Sequence, residues 1–457
     1  MSKYQRLVDC LGSDFVTAGA QSDPSFLKDW TASEQIVPLA VIRPHMTEQV
    51  SSILTFCNIE QIAVVPQGGR TGLVGGAQPI ADGVVVSLDR LRSPLEIDPV
   101  SRTATVGAGV TLAELQAAAA AHGLTFPVEL GARGSCQIGG MISTNAGGIR
   151  AFRFGMTRQH VLGLEVVLPQ GTVVTAMNRH LKNNTGYDVC HYFIGAEGTL
   201  GIITRAVLRL VELEPVRAVA LLLVQDVAAA REVFRAFERD KGLAAIEGMW
   251  PDYWAFAKQV TGLDPLQMSP INDQIVLLVE TRGWEETTLS NALLASLEAL
   301  AEQGTVLDGV IAQSESQADD FWALREANAE LFRYYPDLHG FDISIGVSEM
   351  EPLLKTVKRG LGPKYETLWF GHVGDGNLHL SVSSVEPDLG KEIEIAVYDA
   401  IRELGGSVSA EHGIGSEKLK WLQYSRNDSE IRLMRSIREL IDPNGIMNPG
   451  RTILMEY

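Results

Sequence analysis

The chain has 457 residues, of which 46% are hydrophobic and 21% are charged, a composition that is ordinary for a soluble globular protein of two or three domains. Its formal net charge of −18 argues against nucleic acid as a partner, because binding to phosphate backbones depends on Lys and Arg. The four cysteines are far apart, the N-terminus lacks the apolar segment of a signal peptide, and no apolar run approaches the ~20 residues of a membrane helix. These features predict a cytoplasmic protein, with peripheral contact to a membrane left open.

The first 214 residues alternate between helical and strand patterns, which predicts a mixed α/β unit. Thr47 is expected to cap the first long helix of this unit. Thr111 and Glu114 have the spacing of a capping box, in which each side chain accepts a hydrogen bond from the backbone of the other residue. The dipeptide Gln170-Gly171 separates two apolar runs and predicts a hairpin.

A glycine-rich loop directly follows the apolar run 62–65. Glycine adopts positive φ angles without a Cβ penalty, so such a loop can direct several N–H groups at one anion, and a pyrophosphate suits it. The loop lacks the Lys of a P-loop and the G-x-G-x-x-G register of a Rossmann helix. A surface turn rich in glycine is the alternative. The residues expected to hold the anion are Pro66, Gln67, Gly68, Gly69, Arg70, Thr71 and Gly72.

From Pro215 the pattern changes to strands and helices that form two weak β-α-β copies in one sheet, with helices on one face. We predict an α+β fold with domains at residues 1–214 and 215–425, and a final segment, 426–457, that returns to the first domain. Helices are expected at 227–237, 286–301, 317–332, 351–360 and 390–404, and strands at 216–224, 274–280, 305–312, 340–346, 367–373, 378–382 and 407–411.

Two histidines flank a predicted turn in the second half of the chain. The dipeptide Asp375-Gly376 between two apolar runs is a strong hairpin signal, and it pairs His372 directly with His379. Direct cross-strand neighbours share one face, with Cβ atoms roughly 5 Å apart. The two imidazoles could then chelate one metal ion. A pair of stacked or hydrogen-bonded histidines is the alternative.

Glu411 and His412 end the next predicted strand, where adjacent side chains point to opposite sides. One of them is therefore expected at the metal and the other in a different role. Two His and one Glu with an open position form a common ligand set of zinc, and the set also suits other divalent ions. A solvent-exposed strand end is the alternative for Glu411.

Four segments, 66–76, 138–148, 182–188 and 195–204, together resemble those of the vanillyl-alcohol-oxidase-type flavoproteins. The resemblance implies an FAD-binding domain of two α/β subdomains and an antiparallel-sheet substrate domain that caps the flavin. The first loop contains no His for covalent attachment, so FAD is expected to bind non-covalently. Besides the first loop, the residues expected to bind FAD are Ile138, Gly139, Ser143, Asn145, Gly147, Gly148, Glu197, Gly198, Gly201, Ile202 and Asn448.

Segments 371–379, 411–415 and 442–450 are similar to those of the FAD-dependent D-2-hydroxy acid dehydrogenases, a group that includes D-lactate, glycolate and D-2-hydroxyglutarate enzymes. The resemblance implies that a divalent metal, expected to be zinc with manganese or cobalt open, binds the two histidines and Glu411. It implies that His412 is the catalytic base and that Asn377 and Arg325 hold the substrate. Without the resemblance, Arg325 would be interpreted as a solvent-exposed helix charge.

The implied reaction removes the hydroxyl proton of a D-2-hydroxy acid and transfers the C2 hydride to flavin N5. The sequence departs from the hydroxyglutarate pattern at two positions that help to hold a distal carboxylate. Ala329 stands in place of a Thr and Gly340 in place of a Lys, with His339 or Arg333 as candidate substitutes. A monocarboxylate such as D-lactate is therefore expected in preference to D-2-hydroxyglutarate.

Three other functions stay open at this point. A metal-dependent hydrolase would use the same His-His-Glu set but would not explain the flavin-type segments. A flavin subunit that relays electrons in a complex, as in the glycolate oxidase type, would not need a base, metal ligands and an Arg. A flavin oxidase could use O₂ directly. The expected partners are the 2-hydroxy acid and an electron acceptor such as a quinone, a cytochrome or an electron-transfer flavoprotein; a homodimer is also considered.

Overall fold

The computed structural model describes residues 1–32, 34–239, 242–267, 273–335, 337–384 and 390–455. The chain divides into two compact units. Unit 1 comprises Met1–Gly148, Phe154–Leu213 and Glu411–Tyr457, and unit 2 comprises Ile149–Arg153 and Glu214–Ala410. The chain thus enters unit 2 next to the predicted boundary at Pro215 and returns to unit 1 earlier than the predicted residue 426.

In its described residues, unit 1 contains two larger sheets and one sheet of two short strands. One sheet has the order β1-β2-β4-β3 with β2, β3 and β4 parallel, and the other has the antiparallel order β5-β6-β10-β8-β9. The short strands β7 and β11 pair with each other. The elements of unit 1 are α1 (Lys3–Leu11), β1 (Val16–Ala18), β2 (Ala40–Ile42), α2 (Thr47–Glu60), β3 (Val64–Gln67), β4 (Val84–Ser87), β5 (Leu95–Asp98), β6 (Thr103–Gly107), α3 (Leu112–Ala120), β7 (Leu124–Thr125), α4 (Ile138–Thr144), β8 (Val161–Val167), β9 (Val173–Ala176), β10 (Ile202–Arg209) and β11 (Val211–Glu212). Helix α5 (Ala151–Phe154), between α4 and β8 in the chain, belongs to unit 2 except for its last residue.

Local sequence signals explain several of these boundaries. The capping box at the start of α3 is confirmed: Thr111 Oγ1 accepts from Glu114 N at 3.3 Å, and Glu114 Oε2 accepts from Thr111 N at 3.0 Å. The β8–β9 hairpin is also confirmed. The predicted cap at Thr47 is wrong, because Met46 is the N-cap residue of α2. The Thr47 hydroxyl instead donates to the buried Glu165 carboxylate at 2.6 Å.

Unit 2 is built on one antiparallel sheet, which in the described residues has seven strands in the order β15-β12-β14-β13-β17-β18-β16. Its elements are β12 (Val216–Val224), α6 (Val227–Arg239), β13 (Leu243–Met249), α7 (Pro251–Thr261), β14 (Ile275–Gly283), α8 (Glu286–Glu302), β15 (Val306–Ile311), α9 (Glu315–Arg325), α10 (Leu331–Tyr334), β16 (Leu338–Ser344), α11 (Met350–Leu361), β17 (Tyr365–His372), β18 (Asn377–Ser384) and α12 (Gly390–Glu403). Helix α13 (Asp428–Ile441) lies after the return to unit 1.

Helices pack closely on the central strands of this sheet. Residues 219, 221 and 223 of β12 join a buried cluster with α7 and α9, while the alternate residues 220, 222 and 224 are equally buried. Helix α8 contacts β12, β14 and β15. The sequence patterns left β13 and α7 unassigned, because a short, wholly buried apolar run does not show the periodicity that identifies a strand.

The predicted helix over 317–332 is interrupted, and the reason is a tyrosine from α7. The Tyr253 hydroxyl donates to Arg325 O at 2.6 Å and accepts from Asn328 N at 3.0 Å. These two backbone groups would otherwise bond within a continuous helix. Helix α9 therefore ends at Arg325 and is followed by a 3₁₀ turn, Glu326–Glu330, before α10.

The predicted strand at 407–411 is wrong, because in the described chain Ser407 forms only an isolated bridge with Ser344. Without a ladder to continue, the backbone leaves the sheet at this point, which accounts for the early return to unit 1 at Glu411. No described helix combines the length and the apolar character needed to cross a membrane.

Candidate active site and family

Polar side chains lie across four adjacent strands on one face of the unit 2 sheet. Glu247 of β13 pairs with His372 of β17, which pairs with Asn377 of β18. In the neighbouring row, His379 of β18 pairs with Asp342 of β16. Cross-strand partners project from the same face of a sheet, so the antiparallel order of the strands brings these five side chains together.

The register of the histidine hairpin differs from the prediction. His372 pairs with Asn377, and His379 pairs with Phe370, so the loop has four residues, 373–376. Gly376 ends this loop with φ +83°, and Asp375 Oδ1 accepts from Asn377 N at 3.2 Å. These turn contacts shift the partner of His372 by two residues. Because a shift by two keeps every side chain on its face, the histidines remain together as diagonal neighbours.

The two imidazoles meet through their Nε2 atoms. These atoms lie 3.4 Å apart, and the rings are 5.2 Å apart at an angle of 82°. Two nitrogen ligands of one tetrahedral zinc ion would be separated by about 3.3 Å, given Zn–N bonds of about 2.05 Å. The separation of the two nitrogens therefore fits a shared divalent metal ion.

Glu247 is a site residue that sequence reasoning missed. Its side chain is 0% exposed, its Oε1 lies 2.7 Å from His372 Nδ1, and its Oε2 accepts from Arg325 Nε at 2.7 Å. Burial tends to raise the pKa of this carboxyl, but the charges of His372 and Arg325 outweigh burial and hold the pKa below its ordinary value. The only signal in the sequence is one acidic residue inside the apolar run 243–249.

Arg325 is a buried cation and not a solvent-exposed helix charge. It is 6% exposed, and its guanidinium lies 4.9 Å from the centre of the Phe370 ring. Burial lowers the pKa of the guanidinium, but the Glu247 carboxylate more than compensates and the pKa is raised. Of the Arg325 guanidinium nitrogens, only Nε donates a hydrogen bond to Glu247 in the described part of the chain. The two Nη atoms are therefore available for a planar, bidentate anion such as a carboxylate.

Asn377 is held on the same face by β16. Its Nδ2 donates to Asp342 Oδ1 at 2.9 Å and to Ile343 O at 3.1 Å. Its Oδ1 is buried and makes no hydrogen bond within the described residues. The other oxygen of Asp342 accepts from Ala410 N at 3.1 Å, which fixes the backbone immediately before Glu411.

Glu411 and His412 lie in the segment that begins the return to unit 1, and not on a strand. The prediction that a strand directs them to opposite sides is therefore wrong. Within unit 1, the Glu411 carboxylate lies against Gly147, where an added Cβ would be 3.0 Å from Oε1. The next residues are anchored as well, because Ile414 N and Gly415 N donate to Glu197 at 2.8 and 2.6 Å.

The glycine-rich loop of unit 1 lies against α4 and the turn before it. A Cβ on Gly68 would be 3.4 Å from Gly140 Cα, and one on Gly69 would be 2.0 Å from Ser135 O, whereas a Cβ on Gly72 would meet nothing within 4 Å. The close approach of backbone on one side leaves the other side of the loop open for a ligand. This geometry favours an anion cradle over a surface turn.

Polar atoms around this loop fit a large polar cofactor. Arg70 Nη1, Gln137 Oε1 and Asn448 Oδ1 are buried and have no hydrogen-bond partner among the described residues. Asn448 Nδ2 donates to Gly76 O at 3.0 Å and to Glu197 O at 2.8 Å, so the C-terminal segment of unit 1 is fastened to the loop. A pyrophosphate and its adjoining hydroxyls would supply the missing partners.

The other residues expected to bind FAD also lie in unit 1. Asn145 ends α4 with φ 51°, and its Oδ1 accepts from Arg158 N at 2.9 Å. A Cβ on Gly198 would be 3.1 Å from the Pro66 ring, which places this later run beside the first loop. The remainder are distributed over α4, the turn after it and the start of β10: Ile138, Gly139, Ser143, Gly147, Gly148, Gly201 and Ile202.

Two protein-family models match the chain, one in each half. Residues 38–177 match the model of the FAD binding domain, and residues 213–452 match that of the FAD linked oxidases, C-terminal domain. These matches confirm the prediction that the cofactor is FAD.

Similar proteins cover almost the whole chain. A D-2-hydroxyglutarate dehydrogenase of Xanthomonas citri pv. viticola is 40% identical over 93% of this chain and 91% of its own length. One from Stutzerimonas stutzeri is 39% identical over 95% of each chain. A protein of Oryza sativa subsp. japonica, named a probable mitochondrial D-2-hydroxyglutarate dehydrogenase, is 39% identical over 93% of this chain and 77% of its own.

Solved structures share the fold. p-Cresol methylhydroxylase with substrate bound has a TM-score of 0.77 and 16% identity, covering 100% of this chain and 97% of that one. Alkyldihydroxyacetonephosphate synthase has a TM-score of 0.74 and 16% identity, covering 98% and 84%. The predicted α+β, vanillyl-alcohol-oxidase-type fold is confirmed. The chain therefore belongs to the FAD-linked D-2-hydroxy acid dehydrogenases, and it is an oxidoreductase that acts on a CH–OH group.

Proposed function

We propose that the protein oxidises a D-2-hydroxy acid to the 2-oxo acid with non-covalent FAD and a divalent metal ion held by His372, His379 and Glu411. The observation that carries this proposal is the pair of imidazole Nε2 atoms 3.4 Å apart, together with the buried Glu247 carboxylate, which contacts both the other ring nitrogen of His372 and the Arg325 guanidinium. In this proposal the two histidines bind the metal, and Arg325, at the end of α9, binds the substrate carboxylate beside them. Zinc is the first candidate, with manganese or cobalt as alternatives.

The residues of the chain have distinct tasks in this reaction. FAD supplies the hydride acceptor, and the metal supplies a Lewis acid for the substrate oxygens. Arg325 binds the C1 carboxylate through its Nη atoms, and the Asn377 side chain orients the substrate. His412 accepts the hydroxyl proton, since an imidazole is the side chain most often used as a general base near neutral pH.

Removal of the metal tests this proposal. Purified protein treated with a strong chelator should lose turnover while it keeps its FAD, and added zinc, manganese or cobalt should restore turnover. His379→Ala should lose both metal and activity. His339→Ala is the matched control, because His339 pairs with Val382 and so projects from the opposite face of the same sheet. Full activity of His379→Ala after chelation would contradict the proposal.

For the substrate, we propose a monocarboxylic D-2-hydroxy acid such as D-lactate. Ala329 and Gly340 are exposed and carry no polar side chain that could hold a distal carboxylate. The candidate substitutes are poorly suited. His339 lies on the face opposite His379, and Arg333 is exposed and lies 3.4 Å from Glu330. An uncompensated distal carboxylate would lose a charged hydrogen bond, typically ~1.5–3 kcal/mol.

D-2-hydroxyglutarate is the second candidate, because similar proteins that cover more than nine-tenths of this chain carry that substrate in their names. Measurement of kcat/KM for D-lactate, D-2-hydroxybutyrate, D-malate and D-2-hydroxyglutarate on one preparation separates the candidates. A loss of ~1.5–3 kcal/mol corresponds to a preference of roughly 10- to 150-fold for the monocarboxylates. A clear preference for D-2-hydroxyglutarate would refute the first candidate.

The electron acceptor is proposed to be a separate quinone, cytochrome or electron-transfer flavoprotein, and the protein is proposed to act in the cytoplasm, at a membrane surface if the acceptor requires it. Turnover of the isolated chain with an artificial acceptor, in air and without O₂, distinguishes a dehydrogenase from an oxidase and from a subunit that only relays electrons. Light scattering of the same preparation tests the proposed homodimer.

A further inference from the structure

We infer that Glu247 is a positioning residue that holds the metal-binding imidazole of His372 and the substrate-binding guanidinium of Arg325 at the same time. The inference rests on the proposed function, since it assigns the partners of Glu247 to metal and substrate. A single side chain of β13 would thus fix the position of His372 relative to that of Arg325.

Each carboxylate oxygen of Glu247 is held by a neighbouring side chain. Its two oxygens make separate contacts of 2.7 Å, one with His372 Nδ1 and one with Arg325 Nε, and the side chain is 0% exposed. His372 is the direct cross-strand partner of Glu247 in the β13–β17 ladder. Arg325 reaches the carboxylate from the end of α9, where its carbonyl is fixed by Tyr253. Rotation of Glu247 would therefore break both contacts.

Only a carboxylate can serve both neighbours. Arg325 Nε is always a donor, so the oxygen that faces it must accept. An ionised carboxylate also favours the tautomer of His372 in which Nδ1 carries the proton, which leaves the Nε2 lone pair for a metal ion. Carboxylates that orient a metal-binding His in this way typically change metal affinity 10- to 100-fold when they are replaced.

A glutamine at this position would offer only one acceptor oxygen, and its NH₂ group would face the other of the two donors, His372 Nδ1 or Arg325 Nε. If its NH₂ group faces His372, it favours the tautomer with the proton on Nε2, which opposes metal binding. If its NH₂ group faces Arg325, two donors oppose each other and the guanidinium must move. Alanine removes both acceptors and should disturb both groups.

The experiment compares Glu247→Gln and Glu247→Ala with Glu280→Gln in the FAD-loaded protein. Glu280 is a matched control because it is a buried carboxylate of the same sheet, with Oε1 at 2.6 Å from Arg282 Nε and Oε2 at 2.9 Å from Trp322 Nε1 of α9. Two quantities are measured for each variant: the dissociation constant of Zn²⁺ added to metal-free protein, by calorimetry with a competing chelator, and KM and kcat for D-lactate. FAD content and thermal unfolding report folding.

Glu247→Gln is expected to weaken Zn²⁺ binding or to raise KM by roughly tenfold or more, depending on which neighbour faces the NH₂ group, and Glu247→Ala is expected to do both. Glu280→Gln should leave both quantities within about twofold of the wild-type values, although its unfolding temperature falls. A folded Glu247→Gln protein with both quantities within twofold of wild type would overturn the inference, as would an equal effect of Glu280→Gln.

His379→Ala separates this inference from the proposed function. If His379→Ala abolishes Zn²⁺ binding while both Glu247 variants keep the wild-type Zn²⁺ affinity and KM, only the role of Glu247 is wrong. If His379→Ala also binds Zn²⁺ as wild type does, the metal site itself is wrong, and the inference falls with it.

Discussion

The contrast between Gly69 and Gly72 gives a sharp prediction about the flavin loop. A Cβ on Gly69 would lie 2.0 Å from Ser135 O and 2.9 Å from Cys136 Cα. The backbone N–H groups of Ser135 and Cys136 both donate to Ala132 O, at 2.8 and 2.9 Å, so this turn cannot yield easily. Gly69→Ala must therefore displace the loop, and overpacking of this kind typically costs 1–3 kcal/mol.

Gly72→Ala is the matched variant. A Cβ there meets no protein atom within 4 Å, so the free energy of unfolding of the FAD-free protein should stay within about 0.5 kcal/mol of the wild-type value. If the pyrophosphate approaches the open side of the loop, the same methyl group crowds it. We therefore expect weaker FAD binding without loss of stability.

The assay is thermal unfolding of FAD-free protein, followed by fluorescence titration with FAD. For Gly69→Ala, both the unfolding temperature and the FAD affinity should fall. For Gly72→Ala, only the FAD affinity should fall. Wild-type FAD affinity in Gly72→Ala would refute the assignment of the anion to the open side of the loop, and an unchanged unfolding temperature in Gly69→Ala would refute the tight contact with Ser135.

Three other predictions concern stability and substrate binding. Burial alone would raise the pKa of Glu165, but hydrogen bonds, with Arg205 first among them, lower it from 4.5 to about 2. The resulting stabilisation of the folded state, up to about 3 kcal/mol, is present above pH 4.5 and is lost as the pH falls to 2. Glu165→Gln should therefore reduce the difference between the free energies of unfolding that denaturant titration gives at pH 3 and at pH 7. Arg325→Lys should lower kcat/KM roughly 10- to 150-fold for every 2-hydroxy acid alike, because it loses the bidentate contact with the shared carboxylate; steady-state kinetics with two acids of different length would expose an unequal effect. Gly340→Lys combined with Ala329→Thr should shift the kcat/KM ratio toward D-2-hydroxyglutarate, and an unchanged ratio would contradict the alignment of these two positions.

Local sequence was sufficient where the physical cause is local. The capping box at Thr111 and the β8–β9 hairpin depend on hydrogen bonds between residues close in the chain. The placement of His372 and His379 on one face also follows from the alternation of strand side chains, and it survives a register shift of two residues.

Long-range contacts decided what the sequence patterns missed. The end of α9 at Arg325 depends on the Tyr253 hydroxyl, 72 residues earlier in the chain, and a helical pattern alone cannot reveal such a competitor. The absence of a described strand at 407–411 depends on whether a partner edge is available, which no local propensity encodes. Glu247 is the strongest case. A single acid in an apolar strand is ambiguous until the sheet order brings His372 and Arg325 to its two oxygens, because only then is the cost of burying its charge offset by two partners.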